Sequence, residues 1–99
     1  MLLIVGTVRL PAENLAKART HMADMVSSTL AEDGCEEYSY AEDVLDPGLI
    51  HIKEVWRDQQ ALDLHFQAPH MAAWRAVWPG LGIGERNLRI YEVGQPRQL

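Results

Sequence analysis

Cysteine is almost absent from this 99-residue chain: Cys35 stands alone. One thiol cannot close an internal disulfide, so any fold must rest on an apolar core, and nothing calls for an oxidising compartment. In a strand context Cys35 reads as a small apolar residue, not as a nucleophile. Positive charge is also scarce, with nine Lys and Arg against fourteen Asp and Glu and a net charge of −5. No two basic residues are adjacent, which disfavours nucleic acid or an anionic membrane surface as partner. Long apolar runs are missing too. The first ten residues, "MLLIVGTVRL", carry no basic segment ahead of their apolar stretch and are interrupted by Gly6 and Thr7. No secretory leader and no membrane span are expected, and the expected location is cytoplasmic. Repeats, low-complexity tracts and linkers are absent. The length suits one domain over residues 1–99, with 94–99 ("GQPRQL") as a flexible tail.

What is present alternates between two periods. Leu2 to Leu10 is a β-type run ending before Pro11. From Pro11 the pattern turns helical: Leu15, Ala18, Met22, Met25, Val26 and Thr29 or Leu30 share a face, and Gly34 suits the stop. Cys35 to Leu45 is strand-like, with Tyr38 and Tyr40 on one side. The Asp46–Pro47–Gly48 turn then leads to a strand from Leu49 to Trp56. Arg57 to Phe66 predicts a short helix capped by Asp58. Pro69 opens a second helix that is expected to stop at Pro79, and a last strand runs from Asn87 to Val93. "GLGIG" precedes a strand, so it is a loop and not a dinucleotide fingerprint. The order β-α-β-β-α(α)-β predicts an α+β, ferredoxin-like split β-α-β with a four-stranded antiparallel sheet.

Strands one and three carry apolar residues on both faces. In strand three, Ile50, Ile52 and Trp56 share one face, and Leu49 and Val55 share the other with His51 and Lys53. The helices can cover only one face of such a sheet, so a second copy is expected on the other, giving a homodimer by sheet-to-sheet packing.

The stretches "GCEEYSYAEDVLDPGLIHIKEVW" and "ALDLHFQAPHMAAW" resemble the antibiotic biosynthesis monooxygenase domain family. The matching positions are Gly34, Cys35, Tyr38, Glu54, Trp56, Ala61, His65 and His70. The resemblance implies a dimeric α+β barrel and a small-molecule substrate. It also implies a cofactor-independent monooxygenase for a small aromatic, quinol or anthrone-like compound. Alternatives are a cofactor-free isomerase using the same bases, or a non-catalytic dimeric binding protein. Haem-degrading relatives carry an Asn on the first strand; none stands here.

Such chemistry needs a base that titrates near neutral pH, donors for a developing oxyanion, and an apolar aromatic cavity. His65 is the first choice of base, with His70 as partner or alternative. Tyr38, Glu54, Trp56 and Trp74 are the expected substrate-binding residues. Glu54 is a carboxylate on an apolar strand face; it is expected to pair with Arg75, Arg57 or a partner subunit, or to orient one histidine. The bland alternative is that Leu62, His65, Phe66 and Trp74 are simply the inward side of two packed helices. His65 and His70 are five residues apart with Pro69 between them, so no single helical face presents both. No metal is therefore expected, and the resemblance implies no cofactor.

Overall fold

A computed structural model describes all 99 residues. Strands β1 (Leu2–Arg9), β2 (Cys35–Glu42), β3 (Leu49–Trp56) and β4 (Glu85–Glu92) form one sheet in the order β2-β3-β1-β4. Every neighbouring pair is antiparallel. Helices α1 (Leu15–Leu30), α2 (Gln59–Phe66) and α3 (Pro69–Leu81) complete the ferredoxin-like α+β architecture. No helix is long and apolar enough to cross a membrane.

Register explains which residues reach the core. Ile4 lies opposite Glu54 and Ile90, and Tyr38 opposite Glu54, so one face gathers the even-numbered positions of all four strands. On that face Leu2, Ile4, Val8, Tyr38, Ile50, Ile52 and Trp56 pack with Leu15, Ala18, Met22, Met25, Leu62, Met71 and Trp74 from the helices. A bulge between Cys35 and Glu37 shifts the register of β2 by one residue. It turns Cys35, opposite Trp56, to the same face as Tyr38. All three helices therefore cover one side. On the other, Leu3, Val5 and Thr7 are half-buried, Val55 is buried, and Tyr91 is exposed.

The structure departs from several expected boundaries: β2 stops at Glu42 rather than Leu45, and three further departures have a visible cause. Ala12–Asn14 is a 3-10 turn ahead of α1, fastened because the Asn14 amide donates to the Leu81 carbonyl at 2.9 Å. Helix α3 runs past Pro79 to Leu81. A proline late in a helix forfeits only its own hydrogen bond. Gly82 then adopts a left-handed φ of 74° and closes the last turn, and Ile83 donates to Trp78 O at 3.0 Å. Finally β4 begins at Glu85 rather than Asn87, because it pairs with β1 as far as Arg9. Beyond Val93, whose N–H donates to Met1 O at 2.9 Å, residues 94–99 form no helix or strand.

Candidate active site

Three segments meet at one carboxylate. Helix α1 ends in a tight turn in which Glu32 N–H donates to Thr29 O at 3.0 Å and Cys35 N–H to Glu32 O at 3.2 Å. Gly34 in that turn has a φ of 87°, and a Cβ there would lie 2.5 Å from Ala61 Cβ. The turn can thus settle onto the start of α2, and Gly34 O accepts from Arg57 N–H at 2.8 Å. Asp58 caps α2 by accepting from Ala61 N–H at 2.9 Å. Pro69 restarts the chain as α3 with no side-chain cap. The break between the two helices redirects His70 towards His65, and the ring centroids lie 6.0 Å apart. Glu32 Oε2 lies 2.6 Å from His65 Nδ1 and 2.8 Å from His70 Nε2.

An ionised carboxylate only accepts, so the ring nitrogens facing it carry the hydrogens. His65 then has its proton on Nδ1 and a lone pair on Nε2. Burial pulls the imidazole below its ordinary value, against the upward pull of Glu32. The residue is only 1% exposed. Its ring is held between Trp56, at a centroid distance of 4.7 Å, and Tyr38, at 5.6 Å. The result is a neutral histidine with one nitrogen oriented by an acid and the other free.

His65 borders a cavity of about 440 Å³ between the sheet and helices α2 and α3. Its aromatic wall is Tyr38, Tyr40, Phe66, Trp74 and Trp78. The Tyr38 and Tyr40 hydroxyls are 2.7 Å apart and share one hydrogen bond. Burial pushes Tyr40 up to about 12 and Tyr38 further still, so both stay protonated near neutrality. Three acidic or basic side chains besides His65 border the space: Glu54, Arg86 and Arg89. Glu54 has its carboxyl raised by burial, and the Arg86 guanidinium lies 4.5 Å over the Trp78 ring.

Among the residues expected from sequence, His65, Tyr38, Glu54 and Trp74 line the cavity. His70 does not; it stands behind His65 and borders a separate shallow groove with His21 and Asp24. Trp56 is fully buried beneath His65, and its Nε1–H donates to Glu54 Oε1 at 2.9 Å. Within the chain Glu54 thus pairs with neither Arg57 nor Arg75 and bonds neither histidine. Arg57 faces Asp33, and Arg75 donates to Phe66 O. The sequence reading missed Glu32 and the wall residues Trp78 and Arg86. Cys35 is inert near neutral pH, its thiol raised by burial to about 11. His51 pairs with Asp43 at the surface.

The structure thus sets an acid-bonded histidine beside an aromatic-walled cavity in a small α+β domain. Its family is the antibiotic biosynthesis monooxygenase family, to which the chain belongs, the family model matching residues 1–77. The chain is 29% identical to the Escherichia coli K12 protein YgiN, named a probable quinol monooxygenase, over 95% of this chain and 99% of that one. It is 24% identical to Synechocystis protein sll1783, covering 99% of this chain and 67% of that one. A Deinococcus radiodurans crystal structure, itself a candidate member of the family, superposes with a TM-score of 0.90 at 27% identity, covering 100% of this chain and 98% of that one.

Proposed function

We propose that this protein is a cofactor-independent monooxygenase that oxidises a quinol, anthrone or similar small aromatic. One observation carries the reading: His65, hydrogen-bonded through Nδ1 to Glu32, lines an aromatic cavity, and in this proposal its Nε2 is the base. Dioxygen reacts slowly with closed-shell organic molecules, and a hydroxyarene becomes far easier to oxidise as its anion. His65 takes the substrate proton as general base, and Glu32 supports the imidazolium that forms. The free hydroxyl hydrogen of the Tyr38–Tyr40 pair donates to the developing oxyanion. The anion gives an electron to dioxygen, the two radicals combine as a peroxide anion, the His65 imidazolium returns its proton to make the hydroperoxide, and loss of water leaves the oxidised ring. Per turnover, one substrate and one dioxygen give one product bearing a new oxygen and one water. The name of the relative YgiN agrees with a quinol as substrate. The working form in this proposal is a homodimer joined through the sheet face that the helices leave open.

Dioxygen uptake against a panel of hydroquinones and anthrones, with chelator present, tests this. We expect uptake matched to substrate loss, and a drop of about 10²–10⁴-fold in His65→Ala, the usual contribution of a general base. His70→Ala should lower the rate less, since that ring lies outside the cavity. Uptake no faster than the uncatalysed background across the panel would overturn the oxygenase reading. Turnover of a carbonyl substrate without dioxygen would assign the same base to an isomerase instead.

A further inference from the structure

Two imidazoles that point hydrogens at one atom would, in their other tautomers, point lone pairs at the same place. His65 Nδ1 and His70 Nε2 do this at Glu32 Oε2, from 2.6 and 2.8 Å. The three side chains come from α2, α3 and the turn after α1, and the three ligand atoms lie within 4.8 Å of one another. Zinc takes imidazole nitrogen at about 2.0–2.1 Å and carboxylate oxygen at about 2.0–2.2 Å, and two histidines with one glutamate is a donor set it uses. An ion between the two rings requires the Glu32 carboxylate to move from the place it now holds, 2.6 and 2.8 Å from the two nitrogens. Magnesium and calcium prefer all-oxygen shells, so this set selects zinc, cobalt or nickel. A route exists as well, because the His70 and Glu32 side chains are 24% and 16% exposed.

We propose that Glu32, His65 and His70 form a binding site for a zinc-class divalent ion, and that an ion there locks His65 with its proton on Nε2. A neutral imidazole carries one N–H. Coordination through Nδ1 moves that hydrogen to Nε2, with exchange through solvent and no change of oxidation state. The nitrogen facing the cavity then donates where it had accepted. Resting on the oxygenase reading, this makes the ion an inhibitor: occupancy of the outer site removes the base from the inner one.

The full chain, freed of metal with chelator and exchanged into clean buffer, is titrated with zinc by calorimetry and with cobalt(II) by visible absorption. One equivalent is expected, with tetrahedral cobalt bands. Glu32→Gln and His70→Ala should each raise Kd by at least about tenfold, since even outer-shell losses cost that much. His51→Ala, which removes the surface His51–Asp43 pair, should leave Kd unchanged. Long-range ¹H–¹⁵N spectra should move the His65 proton from Nδ1 to Nε2 at zinc saturation. Thermal melts establish that the variants fold. No saturable binding, equal Kd in both site variants, or a His65 proton still on Nδ1 at saturation would each overturn the site. None of these readouts needs turnover, so a chain that binds zinc but never consumes dioxygen would sink the oxygenase reading alone.

Discussion

Glu54 has a single hydrogen bond to offset its burial, from Trp56 Nε1. Burial raises its carboxyl above the ordinary 4.5, while the Trp56 bond and Arg86 pull it down and Glu32 pushes it up. The unfolded chain therefore gives up this proton at lower pH than the folded one. The stabilising contribution of Glu54 is complete below its unfolded value and is lost as pH rises through the folded value. Glu54→Gln keeps an acceptor for Trp56 and removes the titration. We expect its Tm advantage over the parent to be small at pH 4 and to reach several degrees at pH 7; an advantage that did not change with pH would contradict the assignment. Strand alternation made this misplaced carboxylate legible, since it falls between Ile52 and Trp56 on an apolar face. Its partner was not legible, because an arginine was the obvious candidate and an indole two residues away was not. Glu32 left even less trace. It sits in a polar turn without periodicity, 33 and 38 positions before its two partners, and only the folded chain brings them together.

At the scale of elements, apolar period, turns and caps reported most of the architecture in advance. Asp58 caps α2 as its sequence context indicated, and Asp58→Ala should cost about 1 kcal/mol in urea unfolding. Gly34 and Ala61 are motif positions with a steric reason: each keeps the turn after α1 against the first turn of α2. Gly34→Ala should cost about 1–3 kcal/mol from the left-handed backbone alone, with the clash against Ala61 added. A variant as stable as the parent would show that the contact yields freely. Where boundaries moved, long-range contacts had overridden local signals. Pro79 reads as a stop, but the Gly82 closure and the Asn14–Leu81 bond carry α3 two residues further. The bulge at Glu36 leaves no pattern in the sequence, because it matters only relative to β3.

For the molecule as a whole, the consequential feature is asymmetry of cover. Helices close one side of the sheet, and the other presents Leu3, Val5 and Val55 between the Lys53–Glu37 ion pair and Tyr91. An apolar strip of this kind is suited to a second copy of the same face. Light scattering should report the mass of two chains at micromolar concentration. Leu3→Asp should shift it to one chain, since a carboxylate set between Val55 and Tyr91 would be buried in the contact without a cation opposite it. A one-chain mass for the parent would remove the dimer proposal while leaving the cavity intact.

The tyrosine pair bears on selectivity. Two phenols joined by one shared hydrogen bond keep one spare hydrogen, which sits on whichever ring accepts the shared bond. Exchanging the roles rotates two O–H bonds and moves no heavy atom. On the proposed mechanism the cavity could then meet an incoming oxygen at either of two places, and a flat guest could be turned end for end without forfeiting its partner. Regiochemistry in that proposal falls to the ring of His65, which is fixed by Glu32.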